Sequence, residues 1–288
     1  MSGLSLLRRS SARRDSLARA MLDLRSIAGR SNYRRFVILG TARSGSTLLT
    51  GHLNAHSEAL AFGELFRSPD AIGWDMAPFL TCQGPRLLAL YRSDPLEFLH
   101  RYVFRRWPRS YAAVGFKLFY HHARSGPHAI LWDRLAADES LSILHIKRRN
   151  LLEQFYSLQL AHKTEVWSIT RPQRARPPAI RLEVEACRKH FAWVREGQQA
   201  CERLFSGHRM KEVHFEDLAE NPDREMAAIQ AFLGLRGEMT SPKTARQRTE
   251  PLSELVANYD ELKSAFASGP CAGFFASGRS EAASGRPI

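Results

Sequence analysis

The stretch Phe36-Val-Ile-Leu-Gly-Thr-Ala-Arg-Ser-Gly-Ser-Thr47 decides how this chain folds. Four apolar residues, 36–39, run straight into a loop of glycine and hydroxyl residues, and helical spacing begins near residue 46. Strand, glycine loop and helix in that order form a site for phosphate or sulfate. The first amides of the helix have no intrahelical acceptor, and they carry the positive end of its dipole. Glycines let the backbone come close to an anion, the hydroxyls of Ser44, Ser46 and Thr47 add donors, and Arg43 adds a fixed charge. From Gly40 the spacing follows the Walker template G-x-x-x-x-G-K-[ST], except that Ser46 stands where the lysine belongs. That lysine normally reaches the terminal phosphates of a triphosphate. Its absence, with Arg43 three residues earlier, argues against an ordinary ATPase or kinase.

Outward from this loop, strand-like and helix-like segments alternate. A short strand is expected at 60–62, helix over 86–106, strands at 112–118 and 141–146, and a helix after 150 capped by Asn150 with Glu153 three residues on. A long helix is expected over 181–206, a strand at 212–215, a helix from Pro222 to Gly234 with its buried stripe at Met226, Ile229 and Leu233, and a last helix over 252–266. Alternation of this kind predicts an α/β, P-loop-type three-layer fold: a central, mostly parallel sheet flanked by helices.

The 288 residues are enough for one large domain, and 44% hydrophobic with 25% charged residues suits a globular chain. Net charge is +13, which favours anionic partners. Much of it sits at the start: residues 1–35 hold nine arginines, no lysine and only Asp15 and Asp23 as acids. The overall charge is therefore not read as a nucleic-acid footprint. Residues 1–30 are expected to form a basic amphipathic arm, with Leu17, Met21, Leu24 and Ala28 at helical spacing. Solubilisation is one reading of that arm, and contact with an anionic membrane surface another. Its Arg/Ser-rich composition also resembles a transit peptide. The opening residues do not read as a secretory signal, and no apolar run approaches the ~18 residues of a membrane span. Residues 31–275 are expected to be the catalytic domain, and 276–288 a flexible tail. Cys82, Cys187, Cys201 and Cys271 are scattered and form no CxxC pair, which argues against a disulfide framework or a zinc site. His52 and His56 stand i, i+4, but Leu53 occupies the place of the glutamate in H-E-x-x-H, so no metal site is expected. A cytoplasmic location, peripheral at the inner membrane surface if the arm docks there, is the expectation.

Four blocks in order carry a family resemblance. Arg43-Ser-Gly-Ser-Thr-Leu-Leu49 resembles the 5'-phosphosulfate loop of sulfotransferases that use PAPS (3'-phosphoadenosine-5'-phosphosulfate). Leu144-His-Ile-Lys-Arg-Arg-Asn150, with Ser157 eight residues after Arg149, resembles the element that holds the 3'-phosphate. Phe215-Glu-Asp-Leu218, Asn221-Pro222 and Phe232-Leu-Gly234 resemble the family's C-terminal strand–helix block. Arg246-Gln247, Pro251-Leu252 and Asn258-Tyr259 resemble the tail of bacterial carbohydrate sulfotransferases. The pattern around Gly63-Glu-Leu65, Val114-Gly-Phe-Lys117 and Arg148-Arg-Asn150 is similar to the nodulation-factor sulfotransferase group. The chain departs from the cytosolic branch at Arg43, where that branch has lysine, at Leu48, where it has an adenine-stacking aromatic, and at Phe215, where tyrosine is usual.

The resemblance implies sulfuryl transfer from PAPS, released as PAP, to a hydroxyl of a carbohydrate or glycolipid. It implies Glu64 as general base. It places Arg43, Ser44, Gly45, Ser46, Thr47, Arg149, Ser157 and Arg246 at the donor. Lys117, at a strand end, is expected to meet the transferring group, with a solvent-facing strand lysine as its alternative. His121 and His122 are expected near the acceptor. Two other readings stay open at this point: a P-loop kinase or hydrolase lacking the Walker lysine, and a non-catalytic anion-binding protein.

Overall fold

The computed structural model describes residues 29–74, 84–108, 110–167, 177–239 and 250–275. In chain order the elements are β1 (Arg34–Gly40), α1 (Ser46–Asn54), β2 (Ala59–Phe62), α2 (Pro85–Ser93), α3 (Pro95–Phe98) and β3 (Ala113–Phe119). They continue with α4 (Ile130–Ala136), β4 (Ser142–Lys147), α5 (Leu151–Thr164), α6 (Val184–Leu204) and β5 (Met210–His214). The last are α7 (Phe215–Glu220), α8 (Pro222–Leu233), α9 (Leu252–Leu255) and α10 (Tyr259–Ala265).

The strands form one sheet in the order β2-β3-β1-β4-β5, and every pairing is parallel. Strand pattern explains the layers. On β1, Val37 and Leu39 face a core shared with Leu60, Phe116, Leu118 and the aromatics of α2 and α3. Phe36 and Ile38 face the opposite core, shared with Leu49 and Leu53 of α1 and with Met226, Ile229 and Leu233 of α8. Alternate residues thus enter opposite faces, both covered by helices, as a parallel sheet requires. A third cluster packs α5 against α6 and α10 through Leu152, Tyr156, Phe191 and Leu262.

The expected three-layer α/β fold is observed, with differences at element ends. The stretch 86–106 is not one helix. Pro95 cannot continue the hydrogen-bond ladder, so α2 stops, and Asp94 caps α3 by accepting from the Glu97 amide at 2.9 Å. Strand β5 ends at His214, one residue early, and Phe215 opens α7. The terminal helix is broken between α9 and α10, where Val256 is extended. The helix ends at 222 and 234 are as read: Asn221 caps α8, and Gly234 closes it at φ +71°. The Asn150 cap is present, accepting from the Glu153 amide at 3.0 Å, but Glu153 turns to Arg148 instead of completing a capping box. The expected arm and tail lie almost wholly outside the described residues, as does Cys82. Among the described residues no helix is long and apolar enough to cross a membrane.

Under the sheet's carboxyl edge, Tyr120 Oη lies 2.7 Å from Nε2 of the fully buried His145. Burial pushes the His145 imidazole down to about 4, with Lys147 adding to the effect. Between pH 6.5 and 4 the unfolded chain binds a proton at this residue that the folded chain refuses. Stability therefore falls as pH drops through that window, by at most ~1.4 kcal/mol per pH unit for each such histidine. Urea unfolding of His145→Asn is expected to show a pH slope shallower by up to one proton over this range, and an unchanged slope would assign the dependence to other groups.

Candidate active site

The candidate residues gather at the carboxyl ends of the strands. Strand β1 lies between β3 and β4, and the chain crosses from it to β2 on one side and later to β4 on the other. The crevice outside such a switch point is where open α/β sheets bind ligands.

The loop after β1 is built to approach an anion. Gly45 adopts φ +93°, and Arg43 adopts φ +62°, a conformation uncommon outside glycine. Among the described residues no side chain caps the start of α1. Its first amides are left for an outside acceptor. The Ser44 hydroxyl is buried and lacks a hydrogen-bond partner among the described residues. An orphaned donor beside uncapped amides is what a phosphate or sulfate oxygen would satisfy. The loop's carbonyls, by contrast, are held from the far side. Gln154 Nε2 donates to Ala42 O at 2.9 Å, and Arg148 donates to Arg43 O at 3.3 Å.

Glu64 lies just beyond β2. The backbone of 64–73 doubles back on itself: the Gly73 amide donates to Leu65 O at 3.2 Å. A Cβ on Gly73 would fall 2.1 Å from Glu64 O, so only glycine permits this fold-back. Two groups from β3 and its turn flank the Glu64 carboxylate. Lys117 Nζ is 3.7 Å from Oε1, and His122 Nε2 is 3.8 Å from Oε2. Lys117 Nζ also lies 3.5 Å from Thr47 Oγ1. The solvent-facing alternative for Lys117 is thus corrected: the residue is 2% exposed, because β3 is an inner strand covered on both faces. One ammonium spans the distance between the phosphate loop and the candidate base.

A second cationic group comes from the end of β4. Ser157 is buried on α5, and its hydroxyl accepts from Arg43 Nε at 2.9 Å. Arg43 also donates to the Trp167 carbonyl. Arg149 is half-exposed and pairs bidentately with Asp217, one contact being 2.7 Å, while Glu216 accepts from its backbone amide at 3.0 Å. That pairing holds the Asp217 carboxyl below the usual carboxylate range. Arg149 and Ser157 thus sit on neighbouring elements but have different partners. Arg246 lies outside the described residues.

Three further residues stand in the blocks quoted from the sequence, but none of them was expected to have a role of its own. Arg148 is buried, pairs with Glu153, and lies 4.5 Å from the Phe215 ring. Phe215 itself presses on the phosphate loop, since a Cβ on Gly45 would fall 2.4 Å from its ring. Glu216 ties the β4 end to α7. Each depends on contacts more than sixty residues apart in sequence, which no local pattern encodes.

A family model described as sulfotransferase domain matches residues 33–264. Nodulation protein H of Rhizobium tropici is 30% identical over 249 residues, covering 83% of this chain and 92% of that protein. Nodulation protein H of Rhizobium meliloti is 29% identical over 248 residues, covering 84% and 95% respectively. Among solved structures, a sulfotransferase from Alicyclobacillus acidocaldarius aligns with a TM-score of 0.41 at 18% identity, covering 83% of this chain and 93% of that one. The family match spans the phosphate loop, Glu64, Lys117 and the Arg148–Ser157 element together, and it sets sulfuryl transfer above the kinase and non-catalytic readings. With a family match over most of its length and relatives similar over more than four-fifths of it, the chain belongs to the sulfotransferase family.

Proposed function

We propose that this chain transfers the sulfuryl group of PAPS to a hydroxyl of a carbohydrate or glycolipid, with Glu64 as general base. The observation that carries the reading is the run from phosphate loop to Thr47, Lys117 and Glu64, with a single buried ammonium between the donor loop and a carboxylate. Ser44, Gly45, Ser46 and Thr47 would hold the 5'-phosphosulfate with Arg43. Arg149 and Ser157 would hold the 3'-phosphate. The orphaned Ser44 hydroxyl and the uncapped amides of α1 suit that group. Bound there, PAPS supplies an activated sulfuryl group with a phosphate leaving group.

The chain's residues would act as follows. Glu64 accepts the proton of the acceptor hydroxyl as that oxygen bonds to sulfur. The bond from sulfur to the 5'-phosphate oxygen breaks, and PAP leaves. Lys117 and Arg43 offset the charge that moves onto that oxygen, the moment at which fixed charges and dipoles help most. A carbohydrate acceptor is drawn from the resemblance to the bacterial carbohydrate group and from the position of Glu64. Location in the cytoplasm, with or without membrane contact through the arm, remains part of this proposal.

Retention on immobilised PAP, and transfer of labelled sulfate from PAPS to a panel of glycan and lipid-linked acceptors, test it. No transfer to any hydroxyl acceptor, together with Mg-dependent ATP hydrolysis, would sink the reading. Arg149→Ala is expected to weaken PAP binding by about 10-fold or more, the worth of one charge-assisted contact. Unchanged binding by calorimetry would return Arg149 to a structural pairing with Asp217.

A further inference from the structure

We infer that His122 is the positioning residue of the Glu64 carboxylate, a neutral imidazole whose Nε2–H orients that carboxylate toward the acceptor hydroxyl. This rests on the reading of Glu64 as the base.

The tautomer follows from the backbone. His122 Nδ1 accepts from the Phe119 amide at 3.3 Å. An accepting Nδ1 carries no proton, so the proton of the neutral ring is on Nε2. That Nε2 is buried and has no hydrogen-bond partner among the described residues. A buried orphan donor is costly, and it points to a partner that is completed in use. The nearby acid is Glu64, whose Oε2 is 3.8 Å away, just beyond hydrogen-bond reach. Catalytic hydrogen bonds often stand long in the unliganded site and tighten with substrate.

The ring is held firmly for this purpose. It stacks on Phe119 with centroids 4.9 Å apart and meets His121 edge-on at 4.6 Å. Trp132 Nε1 donates to the His122 carbonyl at 2.9 Å, which fixes the turn. Burial, with the neighbouring His121, Arg67 and Lys117, pushes the imidazole down to about 3, so it is uncharged at working pH. The two flanking donors then differ in kind. Lys117 brings a positive charge to Oε1 and is shared with the phosphate loop, whereas His122 offers Oε2 a donor without charge. Orientation is thereby supplied without a second cation to weaken the base. During transfer the acceptor's proton goes to Glu64, and the proton on His122 Nε2 stays where it is.

The test is a set of variants under saturating PAPS. His122→Phe keeps the stacked ring and removes the donor. It is expected to lose about 10- to 100-fold in kcat, the range of a hydrogen bond to a charged group. Acceptor KM and PAP affinity should stay within about twofold of the parent on that same reasoning. His122→Asn keeps an acceptor for the Phe119 amide and lacks the Nε2 donor, so it repeats the loss without sharing a packing defect. His122→Gln, with a donor at similar reach, should recover most of the rate. In a Glu64→Gln background, His122→Phe should cost less than about twofold, because its partner is gone. Parental kcat in both His122→Phe and His122→Asn, or an equal loss in the Glu64→Gln background, would overturn the assignment. Parental kcat in Glu64→Gln alone is a separate result, and it would remove the base reading itself.

Discussion

Glu64→Gln is expected to lower sulfuryl transfer by about 10²- to 10⁴-fold, the usual worth of a positioned general base, while PAP binding stays close to that of the parent. A sugar hydroxyl at neutral pH is a poor nucleophile, and the proton it sheds needs an acceptor within reach. The carboxylate of Glu64 lies between Lys117 at 3.7 Å and His122 at 3.8 Å. Glutamine preserves its volume and leaves an oxygen for one of these donors, but its amide does not accept a proton. It is the informative substitution for that reason. Glu64→Ala would also strip a partner from the buried Lys117 ammonium, and the penalty for a stranded charge would mix with the loss of the base. Donor affinity measured beside kcat separates the outcomes. A fall in kcat with PAP affinity intact supports proton transfer at Glu64. A matching fall in both would mean that the residue chiefly holds Lys117 in place for the donor.

The division between what the sequence discloses and what it hides follows from the range of the interactions. Phe36 to Thr47 could be read as strand, loop and helix because its signals are local: an apolar run, glycine at the turns, and hydroxyls next to a helix start. Asn221-Pro222 and Gly234 were legible as helix ends for the same reason. Pro95 is a local signal of the same kind, since proline cannot continue a helix, but it falls inside the stretch 86–106 that is read as one helix. Lys117 shows the limit more sharply. A lysine in a strand looks alike whether the strand lies at the edge or inside, and the order β2-β3-β1 is settled by pairings between distant segments. Inside, the same lysine must find an anion, and Glu64 supplies it. Arg149 shows the converse. The motif reads it as a phosphate ligand, yet its guanidinium is paired with Asp217, sixty-eight residues away. A ligand at that position would compete with this carboxylate, and the sequence gives no hint of the competition.

Gly45→Ala is expected to be the next most damaging change, through donor binding instead of chemistry. Two costs coincide at this position. The backbone sits at φ +93°, where an L-residue costs on the order of 1–2 kcal/mol. A Cβ there would also fall 2.4 Å from Phe215 Cδ2. The Phe215 ring cannot yield freely, because the buried Arg148 guanidinium lies 4.5 Å from it while paired with Glu153. Overpacking of this kind costs roughly 1–3 kcal/mol. If the loop gives way instead, the amides and the Ser44 hydroxyl move out of register with the anion. PAP affinity is then expected to fall by about 30-fold or more, the equivalent of ~2 kcal/mol. The two costs can be separated by experiment. Phe215→Leu in the Gly45→Ala background relieves the clash but not the backbone strain, so it should restore part of the affinity and no more. Full restoration would mean that contact with Phe215 alone requires the glycine. No restoration would mean that the left-handed turn alone does, and parental affinity in Gly45→Ala itself would show that the loop binds its anion without the observed turn.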